Sequence, residues 1–244
     1  MEGQCSLAEK AKTLLIDKID TKVLQKNVEQ VLAILNQNRY QNFLSAKLIA
    51  VTKTVSASVI EGLNPLGILD IGENRVQVAL PKLTQIAPEF HLHWIGRLQS
   101  NKVKDIIEHV DLLHSMDRLS LAQETDRQAG IRGRNVPVLV QVNIAKESQK
   151  AGLDVTEIRP FLDQIRKMPN ISVKGLMAMM PLGAEEALLT GWFREMRKLF
   201  DALKETALSG VEMEELSMGM SNDYAIAARE GATMVRVGTA LFRA

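Results

Sequence analysis

A small number of side chains in this sequence are of types, and at spacings, that could carry chemistry. Lys53 directly follows the apolar run 48–52. If that run is a strand, its amine sits at the strand's C-terminal end. Partial desolvation there would favour the neutral, nucleophilic amine and its attack on an aldehyde. The competing reading is an ordinary surface lysine in a connecting loop. Near the other end of the chain, Met218-Gly219-Met220-Ser221-Asn222-Asp223 brings glycine, a hydroxyl and the expected start of a helix. Gly238-Thr239 adds a second glycine and a second hydroxyl. Backbone N–H groups at such a pair of loops suit a dianion; Ser221 or Asp223 could also simply cap the helix. Arg236 lies two residues before Gly238, so on a strand both point to the same face. It is either a ligand contact or an arginine paired within the fold. His91 and His93 share a strand face, with His114 on the next apolar run. They would make a metal site only if Asp70 and Glu73 converged on them, and His93 is more simply an orienting or core histidine.

These residues need elements to position them, and the hydrophobic pattern supplies candidates. Eight short apolar runs occur at 48–52, 68–72, 92–96, 112–115, 138–144, 173–179, 216–218 and 234–237. Segments with helical periodicity separate them, around 56–63, 76–87, 99–109, 118–129, 155–167, 190–208 and 223–230. Strands alternating with helices predict a parallel sheet. Strands buried on both faces read as continuous apolar runs, as 138–142 does. Eight units favour closure into a single (β/α)8 TIM barrel over an open doubly wound sheet. Residues 1–45 are expected to form a helical segment packed on the barrel, with Leu24, Val28, Val31, Leu32 and Leu35 as its apolar stripe. Residues 46–244 are expected to form the barrel. Any helix after the eighth strand should be missing or replaced by the leading one.

In barrel enzymes the site forms at the C-terminal ends of the strands, with phosphate groups held after strands seven and eight. Lys53, Asn74, the 97–102 segment, Ser221, Gly238 and Thr239 all fall at that rim. Bulk properties narrow the functional classes. Hydrophobic residues make up 46% and charged residues 24% of the 244, and the formal net charge is +1. No global field draws such a chain to nucleic acid or an anionic membrane. The single cysteine, Cys5, leaves no intrachain disulfide and suggests a reducing compartment. No apolar run approaches membrane-spanning length and no signal-peptide pattern opens the chain, so the cytoplasm is expected.

The segments Ile49-Ala-Val-Thr-Lys53-Thr, Ile71-Gly-Glu-Asn74-Arg-Val-Gln, His93-Trp-Ile-Gly-Arg-Leu-Gln-Ser-Asn-Lys102, Val142-Asn-Ile-Ala-Lys-Glu, Gly175-Leu-Met-Ala-Met, Leu216-Ser-Met-Gly-Met-Ser-Asn-Asp223 and Met234-Val-Arg-Val-Gly-Thr239 occur in order. Together they resemble the pyridoxal phosphate homeostasis proteins from about residue 45 onward. The resemblance implies a fold-type III barrel like the N-terminal domain of alanine racemase, with pyridoxal 5′-phosphate (PLP) in a Schiff base on Lys53. It implies that Ser221, Gly238 and Thr239 hold the phosphate, that Arg236 faces the pyridine nitrogen, and that Asn74 lies near the ring. Met177 and Ser217 would line the pocket. Arg97 stands where many relatives carry proline, a change expected to alter a loop and no cofactor contact. The segment Phe242-Arg-Ala is shorter than the usual tail of relatives.

The resemblance also implies a role in buffering or delivering PLP, with effects on amino-acid and keto-acid balance and transient contact with apo-enzymes. Two enzyme alternatives stand beside it. One is a PLP-dependent racemase or lyase acting on amino acids. The other is a phosphosugar-type barrel using Lys53 without a cofactor. Alanine racemases need a tyrosine from an additional β-domain across a dimer, and this sequence shows no residues for such a domain. Tyr40 and Tyr224, the only tyrosines, are not expected at strand ends. Arginine cannot accept a proton, so Arg236 would leave the pyridine nitrogen unprotonated and weaken the electron sink. A non-catalytic, monomeric PLP-binding protein is therefore the expected reading.

Overall fold

The computed structural model describes residues 15–41, 43–147 and 151–243. Eight parallel strands close into a barrel in chain order: β1 (Lys47–Val51), β2 (Asp70–Glu73), β3 (His91–Trp94), β4 (Val110–Met116), β5 (Val136–Val142), β6 (Ile171–Ala178), β7 (Val211–Met220) and β8 (Met234–Val237). The seam is β1 against β8, in register from Lys47↔Met234 to Ala50↔Val237. This is the (β/α)8 barrel expected from the alternating pattern. A small apolar layer of Ile49, Leu112, Leu139, Met177 and Met234 fills part of the barrel, and a larger core packs between strands and helices.

Helices α1 (Thr21–Gln37), α2 (Ala57–Glu61), α3 (Val76–Leu83), α4 (Val103–Ile106), α5 (Leu119–Ile131), α6 (Val155–Ile165), α7 (Glu186–Glu205), α8 (Tyr224–Arg229) and α9 (Thr239–Phe242) surround it. Asp20 caps α1 by accepting from the N–H groups of Lys22 and Val23. Leu24, Val28, Val31 and Leu35 are buried on its inner stripe, as their spacing requires, and Leu32 is partly buried. Each such burial contributes about 1.5–3 kcal/mol. Asn27 on this helix donates to the carbonyls of Leu241 and Arg243, both at 2.9 Å. The leading helix therefore packs beside the chain's end, where an eighth barrel helix would lie. A short helix, α9, does follow the last strand, so that place is shared. Residues 1–14 of the expected leading segment, Cys5 among them, lie outside the described residues, as does Ala244.

Three strands, β4, β6 and β7, are longer than the apolar runs suggested. β7 starts at Val211, five residues before the run at 216–218, because its first half alternates. Glu212 and Glu214 point outward and pair with Lys174 on β6 while Met213 points in. β6 runs from Ile171 to Ala178, starting two residues before the run at 173–179 and keeping Met177 within the strand. Gly175 has φ +150°, and a Cβ there would stand 1.8 Å from the Glu215 carbonyl oxygen; only glycine admits this approach of β6 to β7.

Candidate functional site at the barrel mouth

The C-terminal ends of β1, β2, β3, β7 and β8 open onto a cavity of about 760 Å³ lined by Lys53, Asn74, Arg97, Ser221, Arg236, Gly238 and Thr239 among others. Six of the eight site residues expected from the sequence thus meet at one cavity. Met177 and Ser217 do not line it. Met177 is fully buried in the apolar layer inside the barrel, and Ser217 is fully buried beneath Arg236. Arg97, on the loop after β3, lines it as well.

Lys53 lies in the turn just past β1 and is exposed, so the expected partial desolvation is not present in the protein by itself. What fixes the turn lies beneath it. Thr52, Glu73 and Lys82 are all buried. Lys82 on α3 donates to the Thr52 carbonyl and to Glu73 Oε1, each at 2.8 Å, and the Thr52 hydroxyl donates to the same Oε1 at 2.8 Å. This triad ties the end of β1 to the end of β2, and so holds Lys53 and Asn74 in one frame. Glu73 does not join Asp70 at the histidines as a metal site would need: it is committed to Lys82, and His91 is exposed. Sequence reading missed Lys82 because nothing local to α3, where it is the single charge, shows that it turns inward to the ends of β1 and β2.

Asn74 is packed so tightly against Gly96 that a Cβ at Gly96 would stand 2.5 Å from the Asn74 Cβ. Asn74 Oδ1 is buried with no hydrogen-bond partner among the described residues. It is an acceptor open to a ligand's donor.

On the opposite wall, Ser221 Oγ accepts from the N–H groups of Gly238 (3.2 Å) and Ala240 (3.4 Å). The hydroxyl is thereby held between the two loops as an acceptor, which leaves its own proton to be given to an anion oxygen at the cavity wall. A Cβ on Gly238 would lie 3.1 Å from the Val51 carbonyl oxygen; the glycine lets this cradle approach the strand that leads to Lys53. Asp223 stands at the N-cap position of α8, but neither its side chain nor that of Ser221 makes a capping hydrogen bond. Asp223 Oδ1 instead accepts from the Met220 N–H at 2.5 Å, and burial raises its carboxyl above the ordinary value against the pull of that bond and of Arg236.

Arg236 is buried, donating to Ser217 Oγ at 2.5 Å and to the Ala178 carbonyl at 2.8 Å. Burial pushes its guanidinium down to about 10, against the attraction of Asp223, so it remains a cation at neutral pH. Its support runs across the barrel interior. His114 Nδ1 lies 3.0 Å from Ser217 Oγ, His114 Nε2 lies 2.9 Å from His93 Nδ1, and His93 Nε2 lies 2.8 Å from Asp70 Oδ1. Arginine can only donate. Ser217 can then give its own proton to His114, His114 to His93, and His93 to the Asp70 carboxylate, an order that needs no charged ring. Burial, then repulsion from His93 and Arg236, holds the His114 imidazole well below its ordinary value. Burial alone would raise the Asp70 carboxyl. The His93 hydrogen bond and the charges of His93, Lys47 and His91 outweigh it and keep Asp70 below its ordinary value. His93 and His114, but not the exposed His91, form a relay that orients Arg236.

A parallel barrel with a lysine after its first strand and an anion cradle after its last two defines the class to which the sequence also points: residues 19–244 match the profile of the alanine racemase N-terminal domain. The chain spans only 57% of an alanine racemase from Clostridium difficile, which shares the fold at a TM-score of 0.70 and 16% identity. The chain spans far more of the length of other relatives. A pyridoxal phosphate homeostasis protein of Synechocystis sp. is 38% identical over 81% of this chain and 91% of its own length. Another, of Aquifex aeolicus, is 38% identical over 81% of this chain and 86% of its own length. The structure of PipY from Synechococcus elongatus with PLP bound superposes at a TM-score of 0.79, with 35% identity over 90% of this chain and all of that one. The chain belongs to the family of pyridoxal phosphate homeostasis proteins.

Proposed function

We propose that this protein binds PLP at the barrel mouth and keeps it for storage or hand-over, without turning over a substrate of its own. The observation that carries the reading is the convergence on one cavity of an amine, a buried cation and an anion cradle, contributed by β1, β8 and the loop after β7. PLP itself supplies an aldehyde carbon that amines attack. The residues present fit it. The Ser221 hydroxyl, held by the N–H groups of Gly238 and Ala240, has a proton to give the phosphate, and Thr239 brings a second hydroxyl to the same wall. Arg236 offers the ring nitrogen a donor and withholds a proton. The unpartnered Asn74 Oδ1 suits a ring hydroxyl. Lys53, exposed at the mouth, is the amine placed for covalent attachment. Ser217 acts on the ligand through Arg236, and Met177 through the packing below it.

The non-catalytic part of the reading is supported by what the cavity wall lacks. Neither tyrosine lines it, so no tyrosyl acid or base stands opposite Lys53. Relatives carry the name of homeostasis proteins and not of enzymes. Among the described residues no helix is long and apolar enough to cross a membrane. With a single cysteine in the chain, we place the protein in the cytoplasm, as a monomer that passes PLP to apo-enzymes.

Borohydride reduction of PLP-loaded protein followed by peptide mass spectrometry tests the attachment. The pyridoxyl mass is expected on the peptide containing Lys53, and a stoichiometric adduct on another lysine would refute it. Incubation with a panel of amino acids tests the rest; sustained turnover would overturn the carrier reading and restore the racemase or lyase alternative.

A further inference from the structure

A second cavity, of about 560 Å³, adjoins the first at the ends of β2, β3 and β4. Asn74 and Arg97 line both. Its walls carry four cationic side chains, Arg75, Arg97, Lys102 and Arg118, and no carboxylate. Two nearby carboxylates offset part of this charge: Asp117 pairs with Arg118 at 2.5 Å and loosely with Arg97 at 3.8 Å, and Asp105 pairs with Lys102 at 3.3 Å. Arg75 is exposed and has no ion pair among the described residues. The remaining polar lining is amide and hydroxyl. Independently, the indole N–H of Trp94, a lining residue only 1% exposed, is buried with no acceptor among the described residues. Buried donors are rarely left so. A pocket of this volume suits a small metabolite, and one rich in cations and donors selects an anion.

We propose that this cavity binds a compact organic dianion, a phosphate monoester or a dicarboxylate, held by the guanidinium groups of Arg75 and Arg97 beside the cofactor mouth. Planar guanidinium forks match both kinds of oxyanion, and two of them facing one cavity favour a doubly charged ligand over chloride. The site lies on the Lys53 side of the mouth, away from the Ser221–Gly238 cradle. Its occupant therefore stands next to PLP without competing for the phosphate position. Arg97, shared between the two cavities, links them.

The test uses PLP-saturated protein, so that the phosphate cradle is already filled. The chain has two tryptophans, so the Trp94 indole resonance is assigned in an ¹H–¹⁵N spectrum by its persistence in Trp192→Phe. Inorganic phosphate and succinate are titrated against sodium chloride of equal ionic strength. A saturable shift of the Trp94 indole with either dianion, absent with chloride, is expected; the tighter probe identifies the chemical class. Arg75→Gln and Arg97→Gln, both at exposed side chains, should each weaken it by at least about tenfold, and Arg159→Gln, an exposed arginine of α6 away from both cavities, should leave it unchanged. No saturable shift, an equal response to chloride, or a response kept in both Arg75→Gln and Arg97→Gln would overturn the proposal.

Discussion

The relay that holds Arg236 makes Ser217→Ala an informative perturbation. The hydroxyl of Ser217 is fully buried, accepts from Arg236 at 2.5 Å and lies 3.0 Å from His114 Nδ1. Its removal adds no bulk, so the loss is one of hydrogen bonds. A charged donor that loses its buried acceptor costs about 1.5–3 kcal/mol, and a buried imidazole nitrogen left unpaired about 1–3 kcal/mol. Arg236 keeps its bond to the Ala178 carbonyl, which limits the first figure. The sum falls at about 2–4 kcal/mol, a drop in melting temperature of roughly 5–15 °C for a chain of this size. Urea unfolding followed by circular dichroism measures the first quantity and a thermal scan the second. Ser217→Thr, which keeps the hydroxyl, should recover part of the loss. PLP dissociation should quicken in the alanine variant through a less ordered Arg236. A Ser217→Ala protein within about 0.5 kcal/mol of the parent, the range of an ordinary surface change, would refute the relay.

Other outcomes follow from the same geometry. Ser221→Ala and Thr239→Val should raise the PLP off-rate while leaving the Schiff-base absorbance band intact, measured by stopped-flow transfer to an apo-enzyme. Glu73→Gln leaves Lys82 buried without its countercharge and should cost about 3–5 kcal/mol in urea unfolding; an unchanged midpoint would show that the triad does not hold the end of β1. Stability should also depend on pH. His114 is held below 6.5 in the folded protein, so unfolding takes up a proton once the pH falls below 6.5. Its contribution is full above that value and is lost as the pH drops toward the folded value, by up to about 1.4 kcal/mol per pH unit. His114→Gln should flatten the curve between pH 6.5 and 5.

The barrel was legible because parallel strands covered on both faces must be apolar along their whole length, as Val138, Leu139 and Val140 are. The spacing of Leu24, Val28, Val31 and Leu35 marked the inner face of α1 in the same direct way. Lys53, Asn74, Ser221, Arg236, Gly238 and Thr239 could be named because a strand's end is visible in the sequence and a barrel brings its strand ends to one rim. Where local pattern was ambiguous, reading fell short. The alternating start of β7 concealed half a strand, and Met177, expected at the pocket wall, is packed in the apolar layer inside the barrel.

Partnerships across the barrel lay beyond local pattern altogether. His114 and Ser217 are 103 positions apart, and nothing near either one announces the other. The exposure of Lys53, the engagement of Glu73 by Lys82 and the presence of Arg97 at two cavities are likewise properties of loops set side by side by closure. Period and composition determine which faces are buried, since burial acts on each segment separately. Which polar groups meet is decided only when the ring shuts, because hydrogen bonds and ion pairs require two groups to share a place, and that place exists only in the folded barrel.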